Sequence, residues 1–513
     1  MIASCGGQRG SSVNRFRVMA AQPVSGASSA FFRIAFGIAM FVNVWLYLPY
    51  LVHDYFIDTT FHFSYAWFTF IEPPPGFGIQ AVYVAKAALA VLIAIGLWYR
   101  FAIAAFFVLH TYVFLIDSTF FQNHEYLISL VSFFMIFMPL ERRWSVDARR
   151  RPARASQTVP AWVVWLIRFQ FGIVYFYGGV AKLNADWLQG EPLRMWLHRR
   201  TDIEIIGPLF EHEPVIWIMT YGSLIFDLAI VWLLLYRRTR VPAFIIATCF
   251  HLLNARLFGL YIFPWTMIAA TTIYFRPDWP ELAWAWFRRR RGIVATGHAS
   301  DPQLASVAAA PHSVNGGVGG PSAGSESSTA GRTGSGDQSG DGIQQAGSGG
   351  TSSPRTGAGT TVRPISKLLA AFLVGWAVVQ IVAPLRHYLI PGSPNWTEEA
   401  HRFAWHMKLR DKQGTATFYL TADGRTWEVD ASEHLSWKQE FRMYGHPERL
   451  ARFAHHLSDL HDGAEVRVET SVSLNGRERV PLVDPEVDLS EVPLVWWGHA
   501  DWILPLEEPL RRD

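Results

Sequence analysis

The sequence predicts a polytopic α-helical membrane protein with a soluble α+β domain at its C-terminal end. Half of the 513 residues are hydrophobic, whereas only 17% are charged. About nine segments are apolar over roughly the 20 residues that a helix needs to cross the hydrocarbon core of a bilayer. Beyond residue 390 the chain instead alternates polar and apolar positions around short turns. Such alternation is typical of strands in a water-exposed domain.

We place the membrane spans by the length and hydropathy of each apolar segment. They are predicted at residues 30–51, 79–98, 101–115, 126–140, 161–181, 215–236, 241–253, 257–275 and 368–389. The predicted regions are a polar tail (1–27), a bundle of eight spans (28–292), a linker (293–363), the ninth span (364–390) and an outward-facing, β-rich α+β domain (391–513). The linker is rich in glycine, serine, alanine and threonine, so we expect it to be disordered.

Turn signals organise the C-terminal domain. Residues 415–420 and 425–430 flank an Ala-Asp-Gly turn, and residues 464–474 and 477–482 flank Asn-Gly, which predicts two β-hairpins. Between them Pro447 opens a predicted helix with one apolar face.

Arginine clusters predict the orientation of the chain. They follow the fourth, sixth and eighth spans, whereas residues 52–76 contain neither lysine nor arginine. Because basic loops stay in the cytoplasm, this pattern puts the amino terminus inside and the C-terminal domain outside. We expect an integral protein of a bacterial inner membrane.

A single lysine ends the fifth span. Two tyrosines and two glycines precede it, at Tyr175, Tyr177, Gly178 and Gly179. The rings offer apolar walls, and the glycines let a flat ligand or another backbone come close. Desolvation favours the neutral form of a lysine, so Lys182 could act as a base. The alternative is a lysine that extends toward the lipid headgroups.

Other polar residues lie in or at the ends of spans. Asn123 and His124 open the fourth span on the predicted outer side, in the same layer as Lys182. A helix start capped by Asn123, with His124 at the wet interface, is the alternative. Asp227 lies in the middle of the sixth span, and His251 and Asn254 lie near the outer end of the seventh; hydrogen bonds between helices would explain all three without a catalytic role. His251 and Asn254 are three residues apart, so they share one helical face.

These motifs resemble the vitamin K-dependent γ-glutamyl carboxylases, a family built on the horizontally transferred transmembrane (HTTM) domain, here of a bacterial type. The segment VYFYGGVAKLNADWLQG is similar to the lysine-bearing signature, and Asn123-His124 matches an Asn-His pair of the family. In the C-terminal domain, SVSLNGRERVPLVDPEVDL resembles the family's Ser-x-Asn and Asp-Pro-x-Val-Asp.

The resemblance implies roles for particular residues. The catalytic residues would be Lys182, His124 and Asn123. The cofactor would bind at Tyr175, Tyr177, Gly178, Gly179, His251 and Asn254. Residues 391–412 resemble a segment that closes over the substrate site, which implies substrate contacts for His401, Trp405 and Met407. His401 replaces a tyrosine of the animal members, so the glutamate-handling step is the less secure part of the resemblance.

The implied reaction needs reduced vitamin K (phylloquinol or menaquinol), O2 and CO2, and no metal. Lys182 would deprotonate the quinol, oxygenation to the epoxide would generate a strong base, and that base would let a glutamate side chain capture CO2. A pocket that excludes water suits such a base. The implied partners are membrane lipid, quinol and a glutamate-containing protein or peptide, with no nucleic acid.

Two alternatives stay open. One is a quinol epoxidase that does not carboxylate glutamate. The chain departs from the animal enzymes here, because Cys5 and Cys249 are its only cysteines and do not suit the disulfide that those enzymes carry. The other is a non-catalytic transporter or scaffold, although a transporter would need a polar path across the membrane.

Overall fold

The computed structural model describes residues 12–48, 52, 56–57, 59–291, 362–494 and 498–510. Its helices are α1 (Ser12–Ala21), α2 (Ala27–Tyr47), α3 (Gly78–Ile95), α4 (Tyr99–Ile116), α5 (Asn123–Phe137), α6 (Val146–Arg150), α7 (Ala161–Ala181), α8 (Ala185–Leu188), α9 (Leu193–His198), α10 (Glu213–Leu235), α11 (Arg240–Phe258), α12 (Phe263–Thr271), α13 (Trp279–Arg290), α14 (Lys367–Val382), α15 (Pro394–Thr397), α16 (Trp437–Met443) and α17 (Pro447–Leu460). Its strands are β1 (Pro23–Ser25), β2 (Thr158–Pro160), β3 (Lys412–Ala422), β4 (Arg425–Val429) and β5 (Glu465–Leu474). The predicted linker falls outside the described residues apart from its last two positions.

The prediction of a polytopic helical membrane protein is confirmed. Seven helices of the described chain are long and apolar enough to cross a bilayer: α2, α3, α4, α7, α10, α11, and α14 together with its 3₁₀ continuation to Leu389. The helices at the fourth and eighth predicted spans, α5 and α12, are shorter, with 15 and 9 residues. Seven of the roughly nine predicted spans are therefore long, continuous helices in the described part of the chain.

The shortness of α12 has a local cause. Gly259 adopts a left-handed conformation and ends α11, and Pro264 lies in the first turn of α12. Nine helical residues extend about 14 Å, which is roughly half of the hydrocarbon core. The apolar run at 257–275 therefore contains a helix break and not one continuous span.

Helix α7 is the most enclosed of the long apolar helices, with 72% of its residues buried. It packs against α10, α12 and α14. The polar tail joins its start, because α1 contacts α7 and β1 pairs antiparallel with β2, which directly precedes α7. The last turn of α7 is buried as well, at Tyr177, Gly178 and Gly179, and Lys182 follows it.

The C-terminal domain is α+β, as predicted. Three antiparallel strands form a sheet in the order β4-β3-β5, and α17 packs on it through a core that includes Phe418, Phe453 and Val468. The predicted strand at 477–482 was wrong. It makes only one bridge, Val472 to Val480, because the N–H of Leu482 donates to the hydroxyl of Thr470 and the backbone ladder ends there.

The C-terminal domain docks on the end of the bundle where α5 begins and α7 ends. Arg449 donates to the Ser118 carbonyl at 2.9 Å, and Gln439 donates to the carboxylate of Asp117 at 2.8 Å. Asp186, next to α7, accepts two hydrogen bonds from the Arg477 guanidinium at 2.7 Å each. Two motifs far apart in sequence, Ala-Asp-Trp and Leu-Asn-Gly-Arg, thus meet at this junction.

Candidate active site

Lys182 lies directly after the last residue of α7 and is buried. Its ammonium group forms an ion pair with the carboxylate of Asp227, which α10 supplies, and lies 3.3 Å from the Gly178 carbonyl oxygen. The ring of Trp187 lies on another side, with its centroid 5.1 Å from Nζ. The lysine is therefore held by a buried carboxylate and not directed toward headgroups.

The glycine pair lets α10 and the C-terminal segment approach this lysine. A Cβ atom on Gly178 would lie 3.2 Å from Cε of Met407 and 3.5 Å from Oδ2 of Asp227. A Cβ atom on Gly179 would lie 2.8 Å from the side chain of Leu228 and 3.0 Å from its backbone nitrogen. At Gly179 the absence of a side chain permits the close approach of α10 that pairs Lys182 with Asp227, whereas at Gly178 the tight neighbour is Met407.

We expect Gly179→Ala to lower the free energy of unfolding by about 1–3 kcal/mol, because the added methyl group overlaps Leu228 and its backbone. The matched control is Gly222→Ala. Gly222 is also a helical glycine, in α10, but a Cβ atom there would meet nothing within 4 Å. Thermal melts in detergent or nanodiscs measure both. Equal melting temperatures for the two variants would contradict a close packing role for Gly179.

The two tyrosines of α7 join it to other helices. The Tyr175 hydroxyl lies 2.6 Å from Nε2 of His251 in α11 and 3.2 Å from the Thr271 hydroxyl in α12. Tyr177 donates a hydrogen bond to the carbonyl of Ile381 in α14. Asn254, one turn beyond His251, is half-buried. Cofactor contacts for these residues stay predictions, and the hydrogen bonds that they make connect four helices.

Asn123 connects α5 to the C-terminal segment. It is the first residue of α5, whose N-cap is Gln122 without a side-chain capping bond. The alternative expectation of a helix capped by Asn123 was therefore wrong. Its amide Nδ2 instead donates to the carbonyl of His406 at 2.7 Å.

His124 faces a narrow apolar cavity between α2, α5, α7 and α12. Its walls come from Phe36, Leu127, Ile128, Val131, Phe171, Ile262, Phe263 and Thr266. The rings of His124 and Phe263 lie 5.6 Å apart. The volume of this cavity is about 10 Å³, which is room for a single water molecule, so it does not hold a quinone ring in this conformation. Lys182 does not line the cavity.

The segment after α15 reaches from the C-terminal domain into the bundle. Trp405 is buried with the bundle core and its ring lies 5.1 Å from that of Tyr126 in α5. Met407 touches the Gly178 position of α7. Left-handed backbone, rare outside glycine, occurs five times in this segment, at Glu398, Ala400, Phe403, Trp405 and Lys408. Because each such residue costs of order 1 kcal/mol, contacts on both sides must hold the segment in place.

A cavity of about 340 Å³ lies above this segment. Six cationic side chains line it (Arg386, Arg402, Lys408, Arg410, Arg442 and Arg449), together with three carboxylates (Glu398, Glu399 and Glu448). Asn123 and His406 are also among the lining residues. We call this space the outer pocket. Its excess of positive charge favours an anionic ligand.

Glu398 is the centre of charge in the outer pocket. It lies 2.8 Å from Arg410, 3.4 Å from Nδ1 of His446 and 3.6 Å from Nδ1 of His401. Lys412 is 3.7 Å away, and burial lowers its pKa to about 7. His401, predicted to contact the substrate, thus lies at the pocket, whereas Trp405 and Met407 face the bundle.

His406 is oriented for a ligand. Both of its ring nitrogens are buried and have no hydrogen-bond partner within the described part of the chain. Burial, with nearby His387 and Arg410, lowers the pKa of His406 to about 3. Its imidazole is therefore neutral and offers one donor and one acceptor beside the pocket.

The buried histidines predict acid sensitivity. Burial and neighbouring cations keep the pKa of His401, His406 and His446 below its usual range, so the folded protein leaves them neutral. The unfolded chain protonates its histidines near pH 6.5 and therefore binds more protons below that pH. We expect stability to fall on acidification from about pH 6 to 4, by up to about 1.4 kcal/mol per pH unit for each histidine. Melting temperatures across this range measure the slope, which His406→Asn should reduce; an unchanged slope would argue against a neutral buried His406.

Sequence reasoning missed the partner of Lys182 and the role of Glu398. Asp227 was recognised as a polar residue inside a span, but its pairing with Lys182 depends on which faces of α7 and α10 meet. Sequence reasoning also missed a second buried cluster, in which Lys86 and His110 surround Glu125. Single charged residues inside the apolar sequences of α3 and α5 were the available signal.

Two protein-family models match the chain. Residues 21–279 match the HTTM domain, and residues 365–509 match the vitamin K-dependent gamma-carboxylase lumenal domain. The chain belongs to the vitamin K-dependent γ-carboxylase family. Membership confirms the resemblance on which the residue roles were based, and it implies the use of reduced vitamin K with O2 and CO2. No match to a solved structure was found.

Proposed function

We propose that this carboxylase-family membrane protein oxidises reduced vitamin K to its epoxide and uses the base so formed to carboxylate a glutamate side chain. Lys182 is the base that starts the reaction, and Asn123 and His124 orient the quinol. The observation that supports this most strongly is the segment His406–Met407. Its first residue accepts the hydrogen bond of Asn123 and its second contacts Gly178, so the two family motifs share one connecting element.

The ion pair with Asp227 suits a lysine that must become neutral. Transfer of one proton from Nζ of Lys182 to the Asp227 carboxylate turns two buried charges into two neutral groups without changing the net charge of the site. Low-dielectric surroundings reduce the cost of this transfer, since buried ions are the more expensive state. The free amine then accepts a quinol hydroxyl proton.

Two features favour quinol and glutamate as ligands. His124 lies beside the ring of Phe263, and Asn123, the residue before it, lines the outer pocket, so a quinol bound at the start of α5 would meet both polar side chains. The cationic excess of that pocket suits a carboxylate, with His406 as an uncharged donor. Reduced vitamin K, when bound, would supply a base stronger than lysine, because its reaction with O2 generates that base. The protein's part is to orient, to remove the first proton and to exclude water.

Oxygen uptake by the purified protein in lipid nanodiscs tests the proposal. We expect consumption of O2 and formation of epoxide with phylloquinol or menaquinol, and incorporation of labelled CO2 into an added glutamate-containing peptide. Epoxide without labelled peptide would leave the epoxidase alternative. Neither product with either quinol would refute the proposed function.

We also propose that the C-terminal domain faces away from the cytoplasm. The arginine clusters and the match to a lumenal domain support this orientation. Reporters fused after Asp513 and inside the linker near Ser335 should be active outside and inside, respectively. The reverse pattern would invert the topology.

A further inference from the structure

A cavity of about 300 Å³ lies where α4 begins, apart from the candidate active site. Its walls come from the start of α4 and from residues 141–154, which connect α5 to β2. Five arginines line it: Arg100, Arg142, Arg150, Arg151 and Arg154. We call this space the arginine pocket. Its volume is at the lower end of the range of small-molecule sites, so it has room for a small polar group.

The arginine pocket lies at the level of lipid headgroups. Helix α4 begins beside it at Tyr99 and ends at Ile116, just before Asp117 and Ser118, which bind the C-terminal domain. The 18 residues of α4 extend about 27 Å, close to the thickness of the hydrocarbon core. About one hydrocarbon core therefore separates the pocket from the junction with the C-terminal domain, whichever way the chain is oriented.

The two carboxylates of the pocket already have partners. Glu141 pairs with Arg100, with 3.4 Å between Oε1 and Nε. The carboxylate of Asp147 accepts hydrogen bonds from the backbone N–H groups of Trp98 and Tyr99 at 3.1 and 2.9 Å. The other four arginines of the pocket are exposed, and none of them forms an ion pair within the part of the chain that the structure describes. The pocket therefore has an excess of positive charge that attracts an anion.

Aromatic side chains complete the pocket. Trp98 and Phe101 both line it, and they are 57% and 67% exposed. Phe101 belongs to the first turn of α4, where an exposed ring on a spanning helix contacts lipid. Tryptophan is itself enriched at the boundary between headgroups and hydrocarbon. A soluble anion gains nothing from these rings, whereas a phospholipid can place its phosphate among the arginines and its acyl chains along the rings.

We propose that the arginine pocket binds the headgroup of an acidic phospholipid. The phosphodiester lies between the arginine side chains, and the acyl chains run past Trp98 and Phe101 into the bilayer. Guanidinium groups suit this role because each can donate two parallel hydrogen bonds to one phosphate. The inference depends neither on the quinol reaction nor on the orientation of the chain. The alternative is a set of arginines that only fix the topology and attract acidic lipid without a site.

Native mass spectrometry of the full chain in detergent tests the proposal. Phosphatidylglycerol and phosphatidylcholine with the same acyl chains are titrated separately, and we expect tighter binding of the acidic lipid. A basic residue near the membrane surface contributes about fivefold to the affinity for such a lipid. The double variant Arg150→Gln with Arg154→Gln should therefore bind phosphatidylglycerol about 25-fold more weakly. Its affinity for phosphatidylcholine should stay unchanged.

A second double variant provides the matched control. Arg237→Gln with Arg238→Gln removes the same charge from two exposed arginines between α10 and α11 that do not line the pocket. It should leave the affinity for phosphatidylglycerol nearly unchanged. Equal losses in the two double variants would mean general electrostatic attraction and would overturn the inference, as would equal affinity of the wild type for the two lipids. The substituted arginines are all exposed, and melting temperatures should confirm that both variants fold.

Competition separates a lipid from a soluble anion. Sodium phosphate should displace phosphatidylglycerol no better than sodium chloride at equal ionic strength, because inorganic phosphate has no acyl chains. Displacement by phosphate alone would assign the pocket to a soluble anion and refute the lipid. Phe101→Ala should weaken the binding of phosphatidylglycerol, since the exposed ring contacts the acyl chains in the proposal. An unchanged affinity of this variant would contradict that placement of the chains.

Discussion

Replacing Lys182 with arginine should abolish quinol epoxidation while leaving the fold nearly intact. A guanidinium can still pair with Asp227, so the buried carboxylate keeps a partner. It stays protonated, however, and cannot accept the hydroxyl proton. We expect a loss of about 100- to 10,000-fold in rate, the usual contribution of a general base. Epoxide yield and melting temperature should be measured on the same preparations.

Two further variants complete this experiment. Lys182→Ala should also be inactive and less stable, because it leaves Asp227 buried and unpaired. A small exogenous amine should restore part of its rate by occupying the vacated space. Asp227→Asn should retain the lysine but slow the reaction, since the acceptor for the lysine's proton is gone. Full epoxidation by Lys182→Arg would remove Lys182 from the chemistry.

Glu398→Gln should cause the largest loss of stability among single changes in the C-terminal domain. Its side chain is only 7% exposed and balances Arg410 and Lys412. Removing one partner of a buried ion pair leaves uncompensated charge, which typically costs about 3–5 kcal/mol. We expect the melting transition to move down accordingly, and denaturation in urea or by heat measures the change.

An exposed carboxylate provides the control. Glu486→Gln breaks a surface pair with Arg467, in which the Glu486 side chain is 82% exposed, and should change stability by less than about 1 kcal/mol. Adding Arg410→Met to Glu398→Gln should recover part of the loss, because it removes one of the stranded charges. Equal effects of the two glutamate variants would show that Glu398 is not the electrostatic centre of the outer pocket.

The sequence was sufficient to predict helices and strands whose ends carry a proline, a charged residue or a turn motif. Helix α7 begins and ends at the predicted residues because Pro160 precedes its apolar run and Lys182 follows it. Strands β3 and β4 were visible from alternation around an Ala-Asp-Gly turn, and α17 from the apolar face that begins after Pro447. In each case a local signal and the tertiary environment favour the same conformation.

Other features depend on which surfaces meet, and sequence alone does not contain that information. The break at Gly259 lies inside a continuous apolar run that periodicity reads as one span. Glu398 lies in the segment that was expected to close over the substrate site, but the sequence does not show that its carboxylate is buried between Arg410 and His401. The cluster of Lys86, His110 and Glu125 forms because α3, α4 and α5 converge, and their separate sequences do not show this convergence. The catalytic roles of the predicted site residues stay predictions.

The segment His406–Met407 has a thermodynamic consequence. His406 lines the outer pocket, and Met407 lies beside Gly178 close to Lys182, so the two proposed binding regions share this segment. A ligand in the outer pocket that shifts this element changes the affinity for quinol. Equilibrium linkage then requires that quinol change the affinity of the outer ligand by the same factor. Such reciprocity would synchronise generation of the strong base with the presence of its acceptor, and so limit wasteful oxidation.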